Sequence, residues 1–191
     1  MTTDIVPDDK DWTWVLERAC GECGFDARSI ETDDVGARIV DNAEQWRGLL
    51  DASDATLRAR PRPDRWSTLE YAAHVRDVFR LYEQRLRLML ETDDPLFPNW
   101  DQDQTAIAER YDQQDPAIVA GELVSAATTL AASFEAVSGD DWQRPGRRSD
   151  GARFTVGSFA RYLIHDPVHH LWDVRHAPCD PGDAGSPHLQ S

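Results

Sequence analysis

Three histidines stand within six residues of the segment Phe159 to Asp173, FARYLIHDPVHHLWD. His165 and His169 are at i and i+4, which on a helix places both imidazoles on one face, one turn apart, where they can address a common ion. Asp166 and Asp173 are near enough in sequence to hold the far ring nitrogens, which ligating histidines need for orientation. An H-x-x-x-H pair alone is a weak signal, because any histidine-rich amphipathic helix can show it; a third ligand from another element is required. His74 is one more imidazole to weigh. It lies at the edge of an apolar stripe, where a lone histidine ordinarily just donates a hydrogen bond. The other chemistry-bearing pair is Cys20-Gly-Glu-Cys23. A C-x-x-C is half a zinc set or a redox pair, and the redox reading wants a βαβ context that this sequence lacks. His176 and Cys179 are the convenient residues to complete a minor zinc site. The preferred alternative is an exposed or loosely packed thiol pair with a structural role at most.

Helices must position these groups. Val35, Ile39, Ala43, Trp46, Leu49 and Leu50 recur at helical spacing over 34–54, and two prolines in Arg60-Pro-Arg-Pro-Asp-Arg65 bar any continuation. Ser67 followed three residues later by Glu70 is a capping box, so a second helix is predicted over 67–91, with His74, Val78, Leu81 and Tyr82 on one face. Residues 95–114 read as a long connection with a short helix near 105–110, of the kind that often borders a site. Asp115 before Pro116 starts a third helix over 115–138. Thr155 starts the fourth, over 155–176. Within that last helix Pro167 should produce a kink. On an unkinked wheel the apolar arc through Phe159, Leu163, Ala160, Leu171 and Ile164 contains His170 rather than His165. Four long helices with no convincing strand predict an all-α four-helix bundle over 34–176, preceded by an extension, 1–33, and followed by a flexible tail, 177–191. The second and fourth helices must be neighbours if His74 is to reach the histidines of the last.

The chain as a whole narrows the function. Its 191 residues suffice for one domain with a sizeable core. A net charge of −15, without a basic stripe, repels phosphate backbones and argues against nucleic-acid binding. The acidic start has no signal-type apolar region, and no apolar run approaches bilayer length, so the expectation is a cytoplasmic protein without membrane contacts. No triad, P-loop or dinucleotide fingerprint appears, which leaves a metal to carry any chemistry.

Two segments, Arg65-Trp-Ser-Thr-Leu-Glu-Tyr-Ala-Ala-His-Val-Arg-Asp77 and Leu163-Ile-His-Asp-Pro-Val-His-His-Leu-Trp-Asp173, resemble the DinB/YfiT-like four-helix-bundle metalloproteins, in particular actinobacterial members. The resemblance implies a divalent metal held by one histidine of the second helix and an H-x-x-x-H pair of the last, here His74, His165 and His169. It alone selects His169 over His170. Asp77, Asp166 and Asp173 are then the candidates to orient the ligands. Zinc is the expected metal, with nickel or iron compatible. Three protein ligands leave coordination positions open, as in a catalytic site. By resemblance the expected activity is thiol transfer or isomerisation on a small molecule with a low-molecular-weight thiol such as mycothiol. Metal-assisted hydrolysis and a non-catalytic metal-binding stress-response or scaffold role are the alternatives. A homodimer is compatible by analogy.

Overall fold

The computed structural model describes residue 5 and residues 11–176. The tail expected to be flexible lies outside the described residues. Helix α1 spans Val35–Leu49, α2 Asp54–Arg58, α3 Thr68–Glu91, α4 Gln102–Ala108, α5 Pro116–Glu135 and α6 Val156–His176. The four long ones, α1, α3, α5 and α6, form the bundle: α5 packs on both α1 and α3, and α6 packs on α1 and α3.

Local chemistry accounts for the helix starts. Ser67 Oγ accepts from Glu70 N, and the Glu70 carboxylate accepts in return from Ser67 N at 2.8 Å, so two orphan donors at the head of α3 are satisfied together. Arg60, from the proline segment, donates to the same carboxylate at 2.9 Å, which tethers that segment to α3. Asp115 accepts from Ala117 N and Ile118 N ahead of Pro116 in α5. Thr155 Oγ1 accepts from Ser158 N at 3.1 Å at the start of α6. The helix continues through Pro167, which is buried.

Helix α5 has the length and composition of a membrane-spanning segment. Its apolar face, with Val119, Leu123, Leu130 and Phe134, is buried against α1 and α3 within the bundle, which accounts for its hydropathy.

Two departures from expectation bear on the site. The region expected to lack strands contains a small sheet ordered β1 (Leu96–Phe97), β2 (Pro145–Arg148) and β3 (Arg153–Thr155), with β1–β2 parallel and β2–β3 antiparallel. Gly146 permits it to seat closely, since a Cβ there would come within 2.8 Å of the buried Met89 side chain. The second departure is the extension. Three short 3-10 turns, Thr13–Leu16, Ala27–Ser29 and Thr32–Asp34, pack it onto the bundle, the first two against α6, and bury Val15, Cys20, Phe25, Ala27 and Ile30. Arg161 Nε on α6 donates to Ile30 O at 2.9 Å and fixes its end.

Candidate metal centre

His165, His169 and His170 of α6 are covered by two different layers. His165 and His169 are 4% and 7% exposed although the bundle wheel leaves them outside its apolar arc. The extension supplies the cover: the Trp12 ring lies 5.2 Å from His165 and 5.1 Å from His169, and Phe25 lies 5.5 Å from His165. His170 instead faces the bundle side, 4.8 Å from Tyr71 and 5.0 Å from His74 between ring centroids.

The three histidines assigned to one metal by resemblance therefore fall into two groups. His74 is gathered with Asp166 and His170, and His165 and His169 are gathered with Cys20 and Cys23; within each group the potential ligand atoms lie within 4.8 Å of one another. The shift is one of register. Asp166 and His170 are also i and i+4, but rotated by one residue, about 100°, from His165 and His169 on the same helix. Helices α3 and α6 are neighbours, as His74 requires, and it is Asp166 that His74 meets, Nε2 to Oδ1 at 3.4 Å.

The first group has the features of a divalent-metal centre. His74 is fully buried; its Nδ1 has no hydrogen-bond partner among the described residues, and its Nε2 has only the 3.4 Å approach to Asp166 Oδ1. Buried polar atoms left unpaired are costly, so this arrangement fits a cation better than a dry contact. Trp100 stacks on the His74 ring at 5.3 Å with 7° between planes, and Trp66 lies 5.2 Å away, so indoles shield the imidazole on two sides. His170 Nδ1 pairs with Asp173 Oδ2 at 3.0 Å, which turns its Nε2 toward Asp166 Oδ2 at 3.9 Å. That is the carboxylate–histidine pattern which fixes the tautomer of a ligand. Burial by itself would raise the Asp166 carboxyl, but the imidazoles of His74 and His170 outweigh it and hold the carboxyl below the usual carboxylate range. Two imidazoles and one carboxylate suit zinc or ferrous iron and leave coordination positions free.

In the second group, Cys20 Sγ lies 3.7 Å from His169 Nδ1, and Cys20 is 3% exposed. Cys20 is thus buried and Cys23 partly buried. His176 Nδ1 contacts Trp172 O at 2.9 Å, and Cys179 lies outside the described residues. Burial pushes the Cys23 thiol up to about 11 and the His165 imidazole down to about 4, and it lowers His169 as well.

Of the three orienting aspartates expected, each has a different place. Asp166 is a potential ligand. Asp173 touches His170 and stands 3.9 Å from His169 Nε2. Asp77 is committed elsewhere, to Arg76 at 2.9 Å, Arg80 at 3.2 Å and the Tyr111 hydroxyl at 2.6 Å.

A cavity of about 930 Å³ opens onto His165, Asp166, His169 and His170. Trp12 of the extension, Trp100 of the long connection and Arg148 of β2 line its walls, so that connection does border the site. Arg85, 6% exposed, also lines it. It packs over the Phe97 ring at 4.8 Å and donates to Pro98 O at 2.7 Å, and it has no carboxylate partner among the described residues. Nothing in the sequence motifs marked Arg85 or Trp12. Arg85 sits one turn beyond Leu81 on the helix face that carries His74 and Val78, and that spacing is the signal that could have found it.

A helical bundle with two groups of potential metal ligands, both represented on the wall of one cavity, defines a candidate metal-binding protein. The chain belongs to the DinB superfamily, whose profile matches residues 38–174. Among solved structures it is similar to YfiT from Bacillus subtilis, described as a probable metal-dependent hydrolase with an unusual four-helix bundle topology. That likeness has 16% identity and a TM-score of 0.68, and covers 77% of this chain and 90% of YfiT. No curated protein matches the chain. The family match begins after the extension, so Cys20 and Cys23 lie outside it.

Proposed function

We propose that the protein is a divalent-metal-dependent enzyme acting on a small molecule, with His74, Asp166 and His170 as its ligands and hydrolysis as its first reaction. The observation that carries this reading is the fully buried His74 ring, its Nδ1 without a partner among the described residues and its Nε2 facing Asp166, grouped with His170 beside the large cavity. YfiT's description as a probable metal-dependent hydrolase supports the reaction class. A metal bound there would polarise a carbonyl and bring a coordinated water toward neutrality.

The chain's own groups have definable tasks. Asp173, 3.0 Å from His170 Nδ1, orients that ring so that Nε2 is directed toward Asp166. Trp100 and Trp66 keep bulk water from His74. Arg85 offers a positive charge to an anionic group of the substrate. The cavity volume lies in the upper part of the range usual for small-molecule sites, about 300–1,000 Å³. That leaves room for a second molecule and supports the alternative reaction, transfer or isomerisation with a low-molecular-weight thiol such as mycothiol.

The test is a paired screen of the zinc- or iron-loaded protein against ester and amide substrates, with and without added thiols. Turnover should vanish, together with about one metal equivalent, in His74→Ala and His170→Ala. If those variants keep both metal and turnover while remaining folded, the assignment is wrong. Turnover that depends strictly on a thiol would select the alternative reaction.

A further inference from the structure

We infer that Cys20, Cys23, His165 and His169 form a second metal site, of the closed Cys2His2 kind, which clasps the N-terminal extension to α6. This goes beyond the proposed catalytic centre and uses none of its ligands.

Four features converge. The donor set is complete: two sulfurs and two imidazole nitrogens, all within 4.8 Å of one another. A tetrahedral zinc with ordinary bond lengths spaces its donors about 3.3–3.8 Å apart, and the Cys20 Sγ to His169 Nδ1 distance of 3.7 Å is already in that range. The cysteine loop is folded as a tight knuckle. Cys20 N donates to Phe25 O at 2.8 Å, Gly24 N donates to Cys20 O at 3.0 Å, and Gly24 takes φ +74°, a conformation glycine adopts without strain. The knuckle turns both side chains the same way, toward α6. His169 is arranged as ligands usually are, with Nδ1 toward the sulfur and Nε2 toward carboxylates, Glu22 at 3.3 Å and Asp173 at 3.9 Å. Finally, His165 Nε2 is buried with no hydrogen-bond partner among the described residues. Zinc is the favoured ion, because paired thiolates and imidazoles in a closed tetrahedron suit it best.

The site would act on the fold. Cys20 and Cys23 belong to the same extension as Asp11, Trp12 and Thr13, which wall the cavity. Holding the knuckle on α6 holds that wall.

The experiment is metal analysis and cobalt substitution of the full chain. The cobalt form should show sulfur-to-cobalt charge-transfer absorption and the intense visible bands of a tetrahedral ion. Cys20→Ser/Cys23→Ser should lose that absorption and about one metal equivalent. His74→Ala should keep the absorption, so failure of this site and failure of the catalytic proposal are read separately. Absence of the charge-transfer band in the cobalt-loaded wild type overturns the inference. Should the double variant not fold, thiol labelling of the wild type decides. The sequence has three cysteines, so a Cys179→Ser background isolates the pair. Cys20 and Cys23 should resist a thiol reagent until a chelator is added, and equal labelling with and without chelator overturns the site.

Discussion

Between the two imidazole groups stands Asp173, 3.0 Å from His170 Nδ1 and 3.9 Å from His169 Nε2, with Arg65 approaching it at 3.9 Å. One carboxylate therefore bears on the orientation of a ring in each group. Asp77, by contrast, is surrounded by two arginines and a tyrosine hydroxyl, and its role is to hold α3 to the segment carrying Tyr111. The most consequential single side chain on the far wall is Arg85, a buried cation with no carboxylate partner among the described residues. A charge-assisted hydrogen bond is worth about 1.5–3 kcal/mol, and each 1.4 kcal/mol is tenfold in affinity, so losing one weakens binding roughly 10- to 100-fold. Arg85→Gln should raise KM for an anionic substrate by that order with metal content unchanged. An unchanged KM would remove Arg85 from substrate binding.

At the scale of elements, α3 is set by its first turn. Loss of the Ser67 hydroxyl removes one half of a reciprocal cap, and such losses cost about 1 kcal/mol. Ser67→Ala should lower the denaturant midpoint accordingly while leaving metal content intact; a drop in metal content would mean that fraying of α3 reaches His74. This helix was legible in the sequence because capping is a local chemistry, read from Ser67 and Glu70 alone. So was the start of α5 at Asp115–Pro116. The proximity of α3 to α6 followed only from the requirement that His74 reach the last helix. How the imidazoles of α6 are grouped was legible only in part. The apolar arc did place His170 toward the core, and Asp166 with His170 has the same spacing as His165 with His169, yet resemblance favoured the other pair. What no local rule could provide was the cover over His165 and His169. It comes from residues some 150 positions away in sequence, since Cys20 and His169 are 149 apart, and a wheel drawn for one helix knows nothing of a second layer on its other side. The small sheet was missed for a similar reason. Strands of two to four residues containing proline and arginine carry no alternation to detect.

For the molecule as a whole, two electrostatic effects compete as acid is added. The net charge of −15 makes the surface self-repelling at neutral pH, and partial protonation toward the isoelectric point near 4.6 relieves this. Against it stand carboxylates held below their ordinary values. In Asp77 and Glu70, burial is outweighed by hydrogen bonds from Arg76 and Tyr111 and from Arg60 and Ser67 respectively. A depressed folded-state pKa contributes stability that is present above the unfolded value, about 4, and is lost as pH falls through the folded one. Stability should therefore hold from neutrality to about pH 5 and fall below about pH 4. Urea unfolding at neutral and acid pH measures the difference, and Asp77→Asn should lower the neutral-pH midpoint and shrink the gap between the two. A gap of wild-type size in that variant would place the acid sensitivity in other carboxylates.

The distribution of tryptophan around α6 has an optical consequence. Trp12 lies within about 5 Å of both His165 and His169, while Trp100 is stacked face to face on His74. Each imidazole group thus has an indole against it, and the two indoles belong to different segments of the chain. Indole emission is sensitive to the charge of a neighbouring imidazole and is quenched by open-shell ions such as nickel or cobalt. With seven tryptophans in the sequence the native emission is a sum, but replacing Trp12 or Trp100 by phenylalanine in turn removes the light that comes from beside one group, so the difference from the parent protein reports which group an added ion fills.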